Sequence, residues 1–357
     1  SSQPTAAGIV TTPDEITFPL APTFEARGID FAHTEATSIA LAGRSVTTTH
    51  GNHSFDYLVI ATGYRNDFGA VPGLGPGGNA YTITTLDEAV RAGEGWRTLL
   101  ANPGDVVVGA SQGAGCFGAA YEYLFNMAYQ LRKAGLKKQV KVTYVTSEPF
   151  IGHFGVGGLP LGKTVLGNCL KKEKIDTITK ASMAQVDAGR LVLDDDRKID
   201  FSYAMIVPPF VGQDVVRKCT DIADEQGFVK VRTTYQTLPH DNVYAVGLAA
   251  AVELPWHTPS PVGIPTTQFP AEQQGHVAAR NIAAQIKGDQ PRGHTTFGEN
   301  PVCALDAGSN GVVILADHLV EPRTNGVLIP GPQAQAMKLG FEKYYLWKAR
   351  NGHVTLP

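Results

Sequence analysis

The feature that most constrains this chain is one run of about 45 residues, the length of a strand–helix–strand unit. Asp105-Val106-Val107-Val108-Gly109 is an apolar stretch closed by glycine, and it leads into the turn Gly109-Ala110-Ser111-Gln112-Gly113-Ala114-Gly115. A helix is expected from about Gly118 to Lys133, and Lys141-Val142-Thr143-Tyr144-Val145-Thr146 reads as a second strand. Strand, glycine-rich turn, helix and strand in that order predict a right-handed βαβ crossover, half of a doubly wound α/β fold. The chain has 357 residues, room for two domains at roughly 150 residues each.

Other segments fit the same plan. Residues 46–50 read as an exposed strand, 50–53 as a turn, and Phe55-Asp56-Tyr57-Leu58-Val59-Ile60-Ala61-Thr62-Gly63 as a buried strand ending on glycine. Tyr244-Ala245-Val246-Gly247-Leu248 is a second such strand, and paired turns of this kind are where cofactors bind in open α/β sheets. Residues 66–82 are loop-like, and a helix is expected near Thr85, whose hydroxyl is placed to cap it. Residues 189–207 predict a hairpin and a strand, 228–247 a strand-loop-strand, and 271–287 a helix. The tail predicts two short strands and a helix over 332–350. The stretch 195–209 echoes 51–63, a weak internal repeat.

Composition excludes several classes. Thirty basic against 33 acidic side chains leave a net charge of −3, where a nucleic-acid-coating protein carries a basic excess. The richest apolar run, Val243 to Val252, stops at Glu253, short of a membrane span. The opening Ser-Ser-Gln-Pro-Thr lacks the regions of a signal peptide. Four cysteines, none in a CxxC pair, fit neither a disulfide scaffold nor a zinc site, and no metal is expected.

The chemistry-bearing candidates each have a plain structural alternative. A GxGxxG from Gly109 would need glycines at 111 and 114, where Ser111 and Ala114 stand, so the turn is read as retained fold rather than a nucleotide site. Cys116 falls at a helix start, where amides and the macrodipole lower a thiol pKa; it is equally a small buried hydrophobe. Cys303 lies between Pro301 and Gly308 in a loop able to face a ligand. Cys169 and Cys219 sit beside lysines and read as bystanders. His153, flanked by glycines and aromatics, is a proton-transfer candidate or a loop histidine. Glu122 is a general base or helix surface. Residues 338–350 mix Phe341, Tyr344, Tyr345 and Trp347 with a net charge of +3, which suits either a membrane interface or a docked surface helix.

At this point the residues resemble a known family. Phe55 to Gly63 looks like the signature of flavoproteins with two dinucleotide-binding domains. Gly113-Ala114-Gly115-Cys116-Phe117-Gly118-Ala119-Ala120-Tyr121-Glu122-Tyr123 resembles sulfide:quinone oxidoreductases. So do Thr146-Ser147-Glu148-Pro149-Phe150-Ile151-Gly152-His153, Asn300-Pro301-Val302-Cys303 and Lys338-Leu339-Gly340-Phe341-Glu342-Lys343-Tyr344. The resemblance covers nearly the whole chain in order. It implies an α/β fold of tandem Rossmann-like domains with a C-terminal amphipathic helical segment at the membrane surface. The expected division is 1–70 with 208–292 for FAD, 71–207 for the second Rossmann-like unit, and 293–357 for the quinone and membrane interface.

The resemblance also implies roles. Cys116 and Cys303 match the family's redox pair, bridged directly or through extra sulfur. HS⁻ attacks the bridge, the released Cys303 thiolate attacks the flavin, and a polysulfide chain grows. Glu122 and His153 match polar residues on the sulfide path. Thr62, Gly63, Gly247, Leu248, Thr267 and Lys338 match contacts to FAD. Phe341 and Tyr344 match the quinone site. The implied protein is peripheral and monotopic on a membrane, binds no nucleic acid, and leaves homo-oligomerisation open.

Departures are also visible. Thr84 stands where many relatives have a third cysteine, Leu248 where disulfide reductases have aspartate, and Thr266 where some relatives have lysine. The family's opening GxGxxG unit has no counterpart before Gly63, which reads as a fragment. Alternatives are the flavin subunit of a flavocytochrome c sulfide dehydrogenase, a type-two NADH dehydrogenase, disfavoured by the altered turn, and a non-catalytic binding protein with a flavoprotein fold.

Overall fold

A computed structural model describes residues 12–251, 258, 268–293, 302–318, 323 and 325–353. The chain starts with two short helices, α1 (Pro13–Ile16) and α2 (Ala21–Glu25), and an antiparallel meander of β1 (Ala36–Ala40), β2 (Ser45–Thr48) and β3 (Gly51–Ser54). Next come β4 (Leu58–Ile60), β5 (Tyr64–Asn66) and α3 (Leu86–Ala101). The Thr85 hydroxyl accepts the Glu88 N–H at 3.3 Å, the cap expected there.

The run that opened the argument folds as expected. It gives β6 (Val106–Ala110), α4 (Phe117–Lys133), β7 (Val142–Thr146), α5 (Gly162–Lys172) and β8 (Ile175–Ile178). A small meander of β9 (Met183–Asp187), β10 (Arg190–Leu193) and β11 (Lys198–Asp200) precedes β12 (Tyr203–Val207). Strands β12, β6, β7 and β8 form a parallel sheet in that order, with α4 and α5 as crossovers. Every residue of β6, β7 and β12 is buried, as a sheet covered on both faces requires. Alternation sorts them: Val106, Val108 and Ala110 pack with Trp96, Phe117, Tyr121 and Leu124 of the helices. Val107 faces the meander residues Met183, Val186 and Leu191.

β13 (Phe210–Gly212), α6 (Asp214–Arg217), β14 (Val243–Ala245) and α7 (Gln268–Ile286) return the chain to the first unit. β14 pairs parallel with β4, while β5 and β13 pair antiparallel as the two passages between the halves. The expected long buried strand before Gly63 is shorter than its sequence suggested. Only Leu58–Ile60 pairs, and Val59 is 43 % exposed. The span 228–247 supplies a single regular strand, β14, with isolated bridges at Val229 and Val231. Among its described residues the tail holds three strands rather than two: β15 (Val302–Asp306), β16 (Gly311–Ala316) and β17 (Gly326–Pro330), an antiparallel sheet against which α8 (Gln333–Arg350) packs.

Candidate active site

Two structural features converge where β4 and β14 end. Gly63 and Gly247 both adopt φ of +66°, a left-handed conformation that side chains resist, so each parallel strand turns sharply at the same level. The turns open a recess of about 430 Å³ lined by Ala61, Thr62, Gly63, Tyr64, Val246, Gly247, Leu248 and Ala271. The Gly247 amide donates to Gln274 Oε1 at 2.6 Å, fixing its own turn. The walls are mostly apolar and lie at the carboxyl ends of parallel strands, the location at which open α/β sheets hold flat cofactors. Of the expected cofactor contacts, Thr62, Gly63, Gly247 and Leu248 line this recess; Thr267 lies outside the described residues.

The cysteines sit beside a buried ion pair. Cys116 is the N-cap of α4, and Glu122 lies on that helix. Glu122 is buried, and both its carboxylate oxygens meet Lys338 Nζ of α8, Oε1 at 2.7 Å and Oε2 at 2.8 Å. The charges of Glu122 and Lys338 act on the sulfurs of Cys116 and of Cys303, and Cys303 also feels Cys116. Thus α4, β15 and α8, distant in sequence, bring Cys116, Glu122, Cys303 and Lys338 into one electrostatic cluster.

The thiols are not acidified as the helix-start argument expected. Burial pushes the Cys116 thiol up, and the facing amides of Ala119 and Gly118, together with Lys338, only partly oppose it. Cys303 keeps an exposed edge, yet the protein packed around its sulfur pushes the thiol up to about 11, with Lys338 opposing and Glu122 assisting. Desolvation has outweighed the helix terminus. Burial likewise raises the Glu122 carboxyl, against the pull of Lys338, while Glu122 holds the Lys338 ammonium above its ordinary range. The arrangement keeps two neutral thiols beside a cation that favours whichever one ionises.

The glycine-rich turn after β6 is closed by the chain's own groups. Ser111 N–H donates to Val207 O, Ala114 N–H to Ser111 O and Gly115 N–H to Pro208 O. Gln112 lies across the turn, its Oε1 accepting Met183 N–H at 2.9 Å and its Nε2 donating to Met183 O at 3.0 Å. The Phe210 ring sits against Gly115, where an added Cβ would come within 1.9 Å of it. The amides of Ser111, Ala114 and Gly115 are thus already satisfied, in line with the reading of this turn as retained fold.

Comparison with known proteins places this geometry. The pyridine nucleotide-disulphide oxidoreductase family model matches residues 6–275. The chain is 33 % identical over 349 residues to the sulfide-quinone reductase of Aquifex aeolicus, covering 96 % of this chain and 80 % of that protein. The chain belongs to the sulfide-quinone reductase family. The solved structure of the sulfide:quinone oxidoreductase from that hyperthermophilic bacterium superposes with a TM-score of 0.93 at 32 % identity, over 99 % of this chain and 82 % of that one. An NADH dehydrogenase-like protein of Mycobacterium tuberculosis is 30 % identical over 190 residues, 51 % of this chain and 45 % of that protein. A ferredoxin reductase from Rhodopseudomonas palustris, TM-score 0.61 at 18 % identity, shares the fold. As a member of the sulfide-quinone reductase family, the chain is a flavoprotein oxidoreductase with a mixed α/β fold.

Within this family member the remaining candidates take varied positions. His153 is buried on the loop after β7, where its Nδ1 accepts the Gly155 N–H at 3.2 Å and its ring meets the edge of Phe150. Cys169 is half-buried on α5. Cys219 is half-buried with its Sγ donating to Val215 O and Ile39 O. On α8, Phe341 is 38 % and Trp347 50 % exposed, and the Tyr344 hydroxyl is buried with no hydrogen-bond partner among the described residues. The simple picture of a cationic, aromatic surface helix needs correction. Lys338 and Lys348 turn inward to Glu122 and Glu272, so two of its four cations serve buried ion pairs. Among the described residues no helix is long and apolar enough to cross a membrane.

Sequence reasoning missed Tyr64 and Glu148. Tyr64 lines the recess, stacks on Phe210 with ring centroids 3.7 Å apart, and donates to Thr84 O at 2.7 Å. Burial first and Cys116 second push its hydroxyl up to about 12, so the cofactor recess and the cysteine share this one residue. Its signal was adjacency to Gly63. Glu148 was quoted as part of a motif, but nothing in the sequence told that its carboxylate is fully buried.

Proposed function

We propose that this chain is a membrane-surface flavoenzyme that oxidises sulfide to polysulfide or sulfur through Cys116 and Cys303, holds FAD, and passes the electrons to a quinone. The observation that carries this reading is the shared environment of the two cysteines around the Glu122–Lys338 pair. The recess fits a flat ring system, with Gly63 and Gly247 allowing close approach and Thr62 and Leu248 at its rim. When bound there, the flavin supplies the two-electron acceptor.

The chain's own residues do the rest. HS⁻ attacks a bridge between Cys116 and Cys303; one sulfur–sulfur bond forms to the incoming sulfur as the other breaks, and Cys303 leaves as thiolate. Lys338 stabilises that leaving thiolate by its charge, the effect opposite to burial at the same atom. Glu122, paired with Lys338 and raised by burial toward a stronger base, is the acceptor for the proton of the incoming sulfhydryl. Overall the sulfide sulfur loses two electrons, and with the one proton of HS⁻ and one more from solvent they convert the quinone to quinol. His153 is proposed on the sulfide path. Phe341, exposed on α8, offers a quinone an aromatic face, and Tyr344, whose buried hydroxyl has no partner among the described residues, lies one turn further along. Leu315, Val327 and Ile329 of the C-terminal sheet and Leu339, Phe341 and Trp347 of α8 are exposed apolar side chains suited to a bilayer.

Transfer from NADH is disfavoured by the closed turn after β6, where Gln112 bonds Met183 and the Phe210 ring lies on Gly115. The test is anaerobic titration of the flavin-loaded protein with sulfide. Bleaching of the flavin absorbance, abolished by Cys303→Ser, is expected; a parent protein that does not bleach refutes the reading.

A further inference from the structure

We propose that Asn126 is a positioning residue that clamps the strand of Cys303 to the helix of Cys116 and so fixes the reach between the two sulfurs. The inference rests on the reading of Cys116 and Cys303 as the working pair.

Gly118, Glu122, Asn126 and Tyr129 follow one another at spacings of three and four on α4, so they form a single stripe along the helix. That stripe meets β15 and the turn beyond it. Leu305 lies over Gly118, at 3.9 Å from where a Cβ would stand, and Gly308 lies so close to the Tyr129 ring that a Cβ there would come within 2.4 Å. Between these packing contacts Asn126 supplies a directed bond. Its Nδ2 donates to Glu122 O at 3.0 Å on its own helix and to Asp306 O at 3.1 Å on β15.

Two carbonyls facing one end of the carboxamide settle which end is nitrogen. The other end, Oδ1, is buried with no partner among the described residues, in a side chain only 5 % exposed. An unpaired buried acceptor is destabilising, so what asparagine contributes here comes from the two bonds its nitrogen donates. Asp306 is the last residue of β15 and pairs with Gly311, while Cys303 pairs with Ile314 on the same ladder. Three steps along the strand separate the clamp from the sulfur, about 10 Å at the usual rise, and the ladder makes that span stiff. Asp306 Oδ1 in turn accepts the Gly308 N–H at 3.0 Å, holding the turn that carries the clamped carbonyl.

The consequence is an effective concentration. Two thiols held at bonding distance bridge at a milder potential than two that wander. Equilibrating the flavin-loaded full chain in glutathione buffers measures this directly. Each oxidation converts the two protein thiols and one glutathione disulfide into one Cys116–Cys303 disulfide and two glutathione thiols. Alkylation and intact mass then count what remains reduced.

The parent is expected to bridge, and Asn126→Leu to need a ratio about tenfold more oxidising, about 30 mV. Flavin content and the alkylation of Cys169 and Cys219 should stay at parent values, which a general loosening of the fold would not allow. Asn126→Asp, of the same size but without the donors, should shift the equilibrium in the same direction and serves if the leucine variant does not accumulate. Equal bridging in parent and variants overturns the clamp while leaving the cysteine pair intact. A parent in which Cys116 and Cys303 never bridge overturns the pair itself, and the clamp with it.

Discussion

Glu148→Gln isolates a titration buried in the middle of the second unit. The Glu148 carboxylate has no exposed surface and faces a ring of donors. Phe154 N–H reaches Oε1 at 2.7 Å, while the Tyr121 and Thr146 hydroxyls reach Oε2 at 2.8 and 2.9 Å, with Tyr144 more distant at 3.4 Å. Tyr121 O–H also accepts the Gly152 N–H at 2.9 Å, so the carboxylate anchors the His153 loop to α4 from two sides. Donors favour the ionised form and burial opposes it. Burial wins, pushing the carboxyl from its ordinary 4.5 up to about 7.

A carboxyl that binds its proton more tightly folded than unfolded stabilises the fold fully below about pH 4.5. That stability is lost as pH rises toward about 7 and stays lost above it. At 1.36 kcal/mol per pH unit, the loss is about 3 kcal/mol. Urea unfolding of parent and Glu148→Gln at a series of pH values reads it as a difference, since other titrations are shared by both proteins. Parent stability relative to the variant should fall by about 3 kcal/mol between pH 4.5 and 7.5. A flat difference would mean that donors and burial cancel. A difference that rises with pH would mean that the donors hold the group ionised, and either result refutes the reasoning.

Three further outcomes are expected. Lys338→Met removes the cation opposing burial at Cys303 and leaves Glu122 buried alone. Flavin reduction by sulfide at pH 7 should slow about tenfold and recover as pH rises, with a stability loss of about 2 kcal/mol that pairing with Glu122→Gln partly restores. Gly115→Ala drives a Cβ into the Phe210 ring and should lower stability by about 1–3 kcal/mol in thermal unfolding. Leu339→Ser combined with Trp347→Ser should weaken liposome co-sedimentation about tenfold without altering sulfide-driven bleaching, because each exposed apolar side chain contributes on the order of 1 kcal/mol when half its surface enters lipid.

Much of the fold was legible because it rests on local signals. The buried valines before Gly109, the capping Thr85 and the glycines at 63 and 247 each demand a conformation from near neighbours. What stayed hidden depends on partners far away in sequence. The resemblance put Lys338 beside FAD, and nothing local told that α8 would carry it to Glu122 of α4. Asn126 looked like an ordinary helix residue until β15 brought the Asp306 carbonyl to it. The low-pKa reading of Cys116, held beside that of a small buried hydrophobe, misjudged the thiol for the same reason. A helix start is visible in sequence, while the density of protein around a sulfur is not.

That misjudgement points to how the second unit differs from a nucleotide-binding one. In a dinucleotide fold, the amides at the start of the crossover helix face a pyrophosphate. Here the amides of the preceding turn are spent on Val207, Ser111 and Pro208, and those of Gly118 and Ala119 face the sulfur of Cys116. The field at the helix start is retained but aimed at an anion the chain carries itself. Because burial raises the same thiol, the field does not make Cys116 acidic at rest. Its pull would instead be felt by the sulfur that Cys116 holds after sulfide attack, while Cys303 leaves as the thiolate. A helix terminus that serves phosphate binding elsewhere thus faces the Cys116 sulfur, on which the charge of Lys338 also acts.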